Sequence, residues 1–522
     1  MSDNTETLLS PRLARTITYL FFAVLFIGVG VPKVVKTLAT LSIAWVCFSR
    51  SYDFSSWIST RRKVALVYLL QLVGWLALIP VEFLSFEYNN FDTGIFAKNI
   101  IHWRQTGEYY SSILGMHAFA DHFTPNLLLL APLFAVWNSF LWLPILKVLA
   151  WAWSVYLLAG FARDVLGKSS PYLYLAPGVY LLNQFVANSL LMEFQPSSLA
   201  IPFIVLAFRL AHHERIIPLL AVLIGMLGFK EHLGVVWISF GLFLMLEKRR
   251  TFLGLSILML GTIEGFLVYK LLMPVFAGGA IHHDGRIAPF SGISRKAALL
   301  FTAVVSFGGL PLLARYGLLY ALPGFVLVLM GGESGMQSFD HHYHDVGFIM
   351  LACGSVLGLR ALNDRERFSS VTAQRISNAV VLIALSQAMR FPTFYIRHEW
   401  PSAKIIAIHR DLPKIHKLVA DYAPAELWTL DLLGPYFLEV PNLKSIKGPF
   451  LPPAAPGSDR RLIVISPLVD SYPLWRRDYE KLESYLPSQY TEVTYSAGVT
   501  SELRVFASKE YADTPVNPSG SH

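Results

Sequence analysis

The sequence is poor in charged residues and almost free of cysteine. Charged side chains make up 15% of the 522 residues and hydrophobic ones 54%, whereas soluble domains carry about 25% charged residues. Such a chain cannot cover itself with polar surface in water, which excludes an ordinary soluble domain. Both cysteines, Cys47 and Cys353, lie in apolar runs, so the sequence indicates neither a disulfide framework nor a cysteine-based metal site.

Several nucleotide-binding and hydrolase motifs are also missing. The sequence contains no Walker motif, no Gly-rich dinucleotide fingerprint followed by an acidic residue, and no serine nucleophile elbow. These absences argue against ATP-driven and Rossmann-type chemistry. Internal repeats, which are frequent in transporters, are not visible either.

A series of long apolar segments runs from residue 17 to residue 393. A stretch of about 20 apolar residues crosses the hydrocarbon of a bilayer as a helix, because every backbone group must be satisfied within its own segment. The sequence therefore predicts an all-α polytopic membrane protein with about 11 to 13 transmembrane helices. Residues 1–63 would form an N-terminal transmembrane hairpin and a cytoplasmic linker, with one long helix at 16–48 as the alternative.

The distribution of positive charge predicts the orientation. Much of the net charge of +8 lies in short clusters between apolar segments, where the positive-inside rule expects it, so we interpret it as topology rather than nucleic-acid binding. With the cluster 61–63 in the cytoplasm, residues 83–140 form a first large outer loop. Within it, the proline-containing run 124–138 is predicted to be a re-entrant or interfacial helix.

The chain changes character near residue 400. A transmembrane domain is predicted over 64–395, and mixed polar and apolar sequence follows it. Short β-like runs with a charged helical stretch between two of them predict a small α/β domain over 396–513, on the periplasmic or outer side of a cell inner (plasma) membrane. The β-like runs are 426–432, 462–466, 491–495 and 503–507, and the helical stretch is 475–485. The tail 514–522, rich in Pro, Gly and Ser, is predicted to be disordered.

Ionisable residues near membrane depth are costly and are therefore candidates for function. Lys230, Glu231 and His232 stand between two apolar runs with almost no loop to solvate them. A water-filled cavity or an anionic ligand would satisfy them, and a short solvated turn with a Lys–Glu pair is the alternative. Asp121 and His122 lead into the run 124–138, where the histidine could orient a carboxylate, bind phosphate or cap a helix.

Asp92 begins the string DTGIF at a predicted transition from loop to helix. A carboxylate at a cavity wall can act as a general base by taking a proton from an attacking hydroxyl. Aspartate is also a preferred N-cap residue, so capping of the next helix is the alternative. Glu87 in the same loop, and Glu193 with Gln195 in a later outer loop, add further polar candidates.

Two more outer loops carry chemically versatile residues. Arg286, with Arg295 and Lys296, forms a basic loop against the positive-inside trend, and guanidinium groups suit phosphate. Contact with anionic lipid or with the C-terminal domain is the alternative. Residues 338–345 hold three histidines and two aspartates but match no defined zinc signature, so no metal ligand is assigned and a divalent cation is left open.

Several strings together resemble a family of predicted bacterial membrane proteins named domain of unknown function 2079. They are DTGIF at 92–96, DHFTPNLLLLAPLF at 121–134, EFQP at 193–196 followed by LAIP, and Lys230-Glu231. The resemblance covers roughly residues 64 to 345, and it departs from the family at two places. Ala97 and Lys98 follow Ile-Phe where acidic and amide residues are frequent, and Glu193 and Gln195 stand where Asp and His are more usual.

This family is similar to the type C glycosyltransferases, multi-span enzymes that take sugars from polyprenyl-phosphate donors. The resemblance implies that Asp92 is the catalytic base, with Glu87 as a nearby alternative, and that an α/β domain follows the membrane helices. It also implies a polyprenyl-phosphate-linked sugar and membrane lipid as partners.

The leading hypothesis is a membrane glycosyltransferase that acts at the outer face. Asp92 would deprotonate an acceptor hydroxyl, while Lys230, Arg286 or His122 stabilises the departing phosphate. Asp121 belongs to the same catalytic group, and the substrate-binding group includes Glu193, Glu231 and His232. The alternatives are a transporter or flippase of a lipid-linked or small polar substrate, and a non-catalytic assembly factor.

Overall fold

The computed structural model describes residues 60–279, 287–332, 336–339, 342–364, 366–388, 400–451, 460–471 and 473–509. The predicted hairpin at 16–48, Arg286 and the tail 514–522 lie outside the described residues.

Helices dominate the chain up to residue 388. The first ten are α1 Arg61–Leu84, α2 Ile95–Thr106, α3 Ala118–Asp121, α4 Ala131–Val136, α5 Trp142–Leu166, α6 Leu175–Leu181, α7 Gln184–Leu191, α8 Ser197–His212, α9 Ile216–Leu227 and α10 Trp237–Leu246. They are followed by α11 Thr251–Leu267, α12 Met273–Ala277, α13 Ile293–Ser306, α14 Leu310–Leu313, α15 Gly317–Ala321, α16 Val326–Met330, α17 Asp345–Asn363 and α18 Ser370–Ala388.

Shorter elements connect these helices. A small antiparallel hairpin pairs β1 Tyr110–Ser111 with β2 Met116–His117. Turns of π-helix occur at Asn90–Gly94 and Val268–Leu272, and turns of 3-10 helix at Pro125–Leu130, Glu231–Val236, Leu322–Phe325 and His342–His344.

Four helical segments are long and apolar enough to cross a membrane, as judged by length and composition alone. They are α1, α5, the continuous segment Thr251–Ala277, and α17, and five shorter apolar helices accompany them within the described residues. This confirms a mostly helical protein with several apolar helices. The predicted count of 11 to 13 spans stays a prediction.

Helix α17 forms the centre of the helical part, where it packs against α8, α14 and α15. Glycines make these close approaches feasible. A side chain at Gly354 would meet the Gly317 carbonyl at 2.7 Å, and one at Gly358 would overlap the Leu310 carbonyl. Such small residues let helix backbones approach closely, which favours van der Waals packing in lipid, where no hydrophobic driving force holds helices together.

The periphery of the helical part is apolar as well. On α1 the side chains of Leu66 and Leu70 are 57% and 62% exposed, and on α11 that of Phe252 is 86% exposed. A soluble monomer rarely shows such continuous apolar surface. Surrounding lipid would remove it from water, which agrees with the apolar composition.

The proline-containing run 124–138 is a short helical segment that changes from 3-10 to α-helix. It begins as the 3-10 turn Pro125–Leu130 and continues as α4. Its inner side chains Leu127 and Phe134 are fully buried, whereas Leu129 is 75% exposed. Pro132 accounts for the change of helix type, because it has no backbone N–H to continue the hydrogen bonding of the preceding turn, whereas Pro125 stands at the start of the 3-10 turn.

The C-terminal part contains a five-stranded sheet with two helices, which confirms the predicted small domain of strands and helices. Its elements are α19 Ala403–Tyr422, β3 Glu426–Thr429, the 3-10 turn Gly434–Phe437, β4 Leu443–Ser445, β5 Arg461–Ile465, α20 Arg476–Gln489, β6 Tyr490–Glu492, the 3-10 turn Thr494–Ala497 and β7 Arg504–Ser508. The strand order is β4-β3-β5-β7-β6; β3 is parallel to β4 and β5, and β7 is antiparallel to β5 and β6.

One hydrophobic core joins this domain to the loop 83–140. Apolar residues of the loop, such as Phe86, Phe96 and Phe134, belong to the same buried cluster as the sheet residues Leu427 and Ile463. The loop is therefore held between the helical part and the sheet, and this junction is where the polar candidates lie.

Candidate active site

Asp92 lies in the π-helical turn Asn90–Gly94, called here the Asp92 turn. The side chain of Asn89 caps this turn, because its Oδ1 accepts a hydrogen bond of 2.8 Å from the Asp92 backbone N–H. Asn89, not Asp92, is thus the capping residue, which corrects the alternative reading of Asp92. The Asp92 carboxylate instead faces the segment that follows α7.

Glu193, in the segment that follows α7, accepts hydrogen bonds from the Asp92 turn. Its Oε1 accepts a 2.8 Å hydrogen bond from the Asn89 N–H, and its Oε2 accepts from the N–H and the hydroxyl of Thr93. The Thr93 hydroxyl oxygen in turn accepts from the Phe194 N–H at 3.1 Å. Both oxygens of Glu193 are therefore engaged in fixing the backbone on either side of Asp92.

Gln195 connects Asp92 to Lys230. Its Nε2 donates to Asp92 Oδ1 at 2.5 Å, and its Oε1 accepts from Lys230 Nζ at 2.6 Å. Asp92 is half-buried, whereas Gln195 and Lys230 are only 2% and 3% exposed. A carboxylate and an ammonium group are thus joined through one amide instead of forming a direct ion pair.

His122 and Glu231 form a second pair beside the first. The His122 Nδ1 lies 3.0 Å from Glu231 Oε1, and the Phe123 N–H donates to Glu231 Oε2 at 3.2 Å. Asp121 is buried, and its Oδ2 lies 4.0 Å from His122 Nε2. The predicted solvated Lys–Glu turn is not observed, since Lys230 bonds to Gln195 and Glu231 bonds to the 121–123 segment.

The remaining predicted residues lie less centrally. The Glu87 side chain is exposed, on the chain between α1 and the Asp92 turn. His232 is half-buried, and its Nδ1 is buried without a hydrogen-bond partner among the described residues. Arg286 lies outside the described residues. The structure thus brings together Asp92, Asp121, His122, Glu193, Lys230 and Glu231.

Lys147 is a polar residue of this region that the sequence patterns did not single out. It stands in the apolar helix α5, is 3% exposed, and donates to the carbonyls of Ser189, Met192 and Glu193 at 2.5, 2.6 and 3.1 Å. These carbonyls follow or end α7, so a cation there matches the negative end of the helix. A lone lysine within a 25-residue apolar helix was the available signal.

Burial and neighbouring charges shift the protonation of the site. Burial raises the pKa of Asp92, and the Lys230 ammonium opposes part of that rise. Burial and the Asp92 charge hold the pKa of Glu193 well above its usual range, while burial lowers the pKa of Lys230. A carboxylate with a raised pKa accepts a proton more readily near neutral pH, which suits a general base.

The C-terminal domain binds the other side of the Asp92 turn. Asn90 Nδ2 donates to Ser445 Oγ at 2.9 Å, the Ser445 hydroxyl donates to Asp431 Oδ1 at 3.0 Å, and the Asn90 N–H donates to the Asp431 carbonyl at 3.1 Å. All three side chains are buried. Burial raises the pKa of Asp431 to about 7.

A lysine of α2 strengthens the same contact. Lys98 is fully buried and donates to the carbonyls of Leu438 and Val440 at 2.8 and 2.6 Å. Burial lowers the pKa of this lysine to about 8. The residue that departs from the family pattern therefore anchors the C-terminal domain onto the helix that follows Asp92.

The part of the chain that the structure describes contains no preformed metal site. No group of three or more His, Cys, Asp or Glu side chains is arranged there to hold a metal ion. Asp340 and His341 of the histidine-rich loop lie outside the described residues. The described end of that loop, Asp345, accepts a hydrogen bond from the Ser189 hydroxyl.

Comparison with known proteins agrees with the expected resemblance. The family model described as predicted membrane protein DUF2079 matches residues 82–286. No curated protein matches the sequence at a significant level. The match covers the Asp92 turn, the 121–134 string, Glu193 and Lys230, and confirms the resemblance over that part of the chain.

Two solved structures resemble the protein in fold. ArnT from Cupriavidus metallidurans bound to undecaprenyl phosphate is 12% identical with a TM-score of 0.52, and the alignment covers 86% of this chain and 99% of that chain. ArnT from the same organism in the apo state is 11% identical with a TM-score of 0.51 and the same coverage. At these identities the likeness establishes a shared fold alone.

Proposed function

We propose that this protein is a membrane glycosyltransferase that moves a sugar from a polyprenyl-phosphate donor to an acceptor hydroxyl at the outer face of the inner membrane. The connection from Asp92 through Gln195 to Lys230 is the observation that carries the proposal. It holds a proton acceptor and a cation in one buried site without letting them neutralise each other directly. The fold likeness to ArnT, solved with undecaprenyl phosphate, supports the choice of donor.

In the proposed reaction Asp92 takes the proton of the acceptor hydroxyl. The acceptor oxygen attacks the anomeric carbon of the sugar, the bond from that carbon to the phosphate oxygen breaks with inversion, and the polyprenyl phosphate leaves with the bonding electron pair. Lys230 would stabilise the negative charge that grows on the departing phosphate. Glu87, which is exposed and away from these contacts, is the less suitable base.

Glu193 and Lys147 act as positioning residues in this proposal. Glu193 accepts hydrogen bonds from Asn89 and Thr93 on both sides of Asp92, and Lys147 fixes the backbone carbonyl of Glu193 itself. Together they hold the general base within reach of its substrate, because a small displacement of a catalytic group costs much of its rate. A direct contact of Glu193 with substrate would require it to release the Asp92 turn.

His122, Glu231 and Asp121 would form the second wall of the site. Glu231 bonds to His122 and to the Phe123 N–H. Because Glu231 follows Lys230 in the chain, these bonds hold the 121–123 segment close to Lys230. Phe96, four residues after Asp92, stacks on the His122 ring with centroids 6.0 Å apart. This wall keeps His122 near the proposed position of the phosphate, where an imidazole could donate a hydrogen bond.

The decisive experiment uses cells that lack the protein, because the sugar need not be known in advance. Polyprenyl-phosphate-linked sugar should accumulate in these cells, and mass spectrometry of extracted lipids would identify it. Restoring the natural protein should remove the accumulation, whereas Asp92→Asn should not, with donor consumption reduced at least about a hundredfold.

The matched control is Glu108→Gln, which changes an exposed carboxylate in the same loop. It should restore donor consumption fully. Normal consumption by a membrane-inserted Asp92→Asn variant would remove Asp92 from the mechanism. Uptake of the sugar into vesicles without any covalent change would show that the protein is a transporter and not a transferase.

A further inference from the structure

A groove of about 420 Å³ runs between the edge strand β4 of the C-terminal sheet and the loop 83–140. Its walls include Trp428, Lys444, Lys447 and Phe450, and Ile113 of the loop closes one side. The volume lies within the range of about 300 to 1,000 Å³ that is usual for small-molecule sites. None of the predicted site residues belongs to its lining.

The groove carries an excess of positive charge. Lys444 donates to the Ser112 carbonyl at 2.8 Å and retains two further N–H groups, and the Lys447 side chain is exposed. Neither ammonium group forms an ion pair with a carboxylate among the described residues. Glu426, the acidic residue of the lining, is paired with Arg461 at 2.8 Å, and although burial opposes the shift, hydrogen bonds from Trp428 and Arg461 together with the nearby charge of Lys444 lower its pKa. An anionic ligand would therefore complete the charge balance.

Two aromatic side chains flank the lysines. The Trp428 N–H is satisfied by Glu426 at 3.0 Å, which fixes the indole plane, and Arg461 stands over that ring at 5.4 Å. Phe450 is 60% exposed at the rim. The fixed indole of Trp428 offers an apolar surface on which the carbon face of a sugar ring can pack with little loss of side-chain freedom on binding.

The groove lies directly beside the Asp92 turn. Its wall residue Ser445 accepts the hydrogen bond from Asn90, two residues before Asp92. The Lys447 ammonium lies over the ring of Phe91, the neighbour of Asp92, at 4.8 Å from the ring centroid. A ligand in the groove would therefore lie next to the Asp92 turn, on the side of the C-terminal domain.

We propose that this groove binds the acceptor, and that the acceptor is a saccharide carrying a phosphate or carboxylate group. This rests on the proposed function, since it assigns the partner whose hydroxyl Asp92 deprotonates. Lys444 and Lys447 hold the anionic group, and Trp428 and Phe450 contact the sugar ring.

Binding of glucose 6-phosphate to the full-length protein in phosphatidylcholine nanodiscs tests the site without requiring turnover. Equilibrium dialysis with labelled ligand should detect binding, and unphosphorylated glucose should bind at least about tenfold more weakly. Lys447→Gln and Trp428→Leu should each weaken glucose 6-phosphate binding by about tenfold. Lys417→Gln, an exposed lysine of α19 away from the groove, is the matched control and should bind like the natural protein.

The outcomes separate this inference from the proposed function. Equal glucose 6-phosphate binding by the natural protein and by Lys447→Gln would overturn the groove assignment, even if Asp92→Asn abolishes donor consumption. Binding that requires phosphatidylglycerol in the nanodisc and ignores glucose 6-phosphate would assign the lysines to a lipid headgroup and also overturn it. Weakened binding in both groove variants supports the assignment, and donor consumption by Asp92→Asn then decides the function independently.

Discussion

Two polar clusters lie at opposite ends of helix α5, and they differ in how their charged side chains are paired. Near its C-terminal end, Asp164 pairs directly with Arg209, Oδ2 to Nε at 2.8 Å, and lies 3.3 Å from His213 Nε2. Near the other end, the site places Gln195 between Asp92 and Lys230. A direct pair satisfies both partners, whereas an inserted amide leaves part of each charge available for a substrate.

The difference agrees with the proposed roles, in which the cluster at Asp164 serves structure and the cluster at Asp92 serves chemistry. A carboxylate in a direct ion pair with arginine is a poor proton acceptor, because the pair stabilises its charged form. Asp92 has its pKa raised by burial, with Lys230 opposing the rise from beyond the amide. The arrangement therefore favours proton uptake at Asp92 and not at Asp164, and variants of each cluster should differ accordingly.

The largest effect is expected from Lys230→Met, which removes the cation and leaves an unbranched apolar side chain one atom shorter. Loss of a preorganised group that stabilises the departing phosphate should lower donor consumption by about 10² to 10³. The acid limb of the pH profile should also move. Because Lys230 lowers the pKa of Asp92, its removal raises that pKa, and the base then becomes active only at higher pH.

The measurement is kcat/KM for the donor between pH 4 and pH 9, with Lys168→Met as a control for an exposed lysine. An unchanged acid limb in Lys230→Met would contradict coupling between Lys230 and Asp92.

A somewhat smaller effect is expected from Gln195→Leu, which keeps both charges but removes the amide between them. Asp92 loses a 2.5 Å hydrogen bond and Lys230 loses its acceptor. Donor consumption should fall about a hundredfold because neither group is held in place. Gln105→Leu, at an exposed position of α2, should leave the rate unchanged. Full activity of Gln195→Leu would show that the amide bridge has no role.

A moderate effect is expected from Asn90→Ala, which cuts the link between the Asp92 turn and the C-terminal domain. The change removes the bond to Ser445 and should lower kcat about tenfold with little change in donor KM, because Asp92 is less well positioned. The matched control is Asn138→Ala, which breaks an exposed hydrogen bond between the same two regions, to Glu439 at 3.0 Å. Equal effects of the two variants would mean that docking of the domain matters and positioning of Asp92 does not.

The smallest effect on activity is expected from Asp164→Asn in the other cluster. Losing the partly buried pair with Arg209 should reduce the free energy of unfolding by about 1 kcal/mol, seen as a lower Tm in nanodiscs. Donor consumption at a temperature well below Tm should remain normal. A loss of activity without a change in Tm would show that this cluster also takes part in the chemistry.

Residue types and periodicity were sufficient to predict several features. The apolar runs indicated a helical membrane protein, and the strings around Asp92, Asp121 and Lys230 indicated the family that matches residues 82–286. The β-like runs of the C-terminal part correspond to β3, β5, β6 and β7. Helix α19 and strand β4 were missed, since α19 carries Pro413 in its interior and β4 has only three residues.

Other features depend on contacts between residues far apart in the chain. Asn90 meets Ser445, which is 355 positions away, and Lys98 meets Leu438, which is 340 positions away. Periodicity reports which face of an element is apolar but not which distant element covers it. The sequence left open which residue caps the Asp92 turn, because two suitable cap residues, Asn89 and Asp92, stand three positions apart. The bond from the Asp92 N–H to Asn89 Oδ1 identifies Asn89 as the cap.

The order of amino acids by itself determined that this chain is helical and apolar, because burying so much hydrocarbon and satisfying each backbone group leaves few other structures. It also determined which ionisable residues interrupt the apolar segments. Only the tertiary structure decided that Gln195 separates Asp92 from Lys230, and that a small sheet domain closes over the Asp92 turn. Hydrogen bonds depend on distances of a few tenths of an ångström, and such distances arise only when segments remote in sequence pack together.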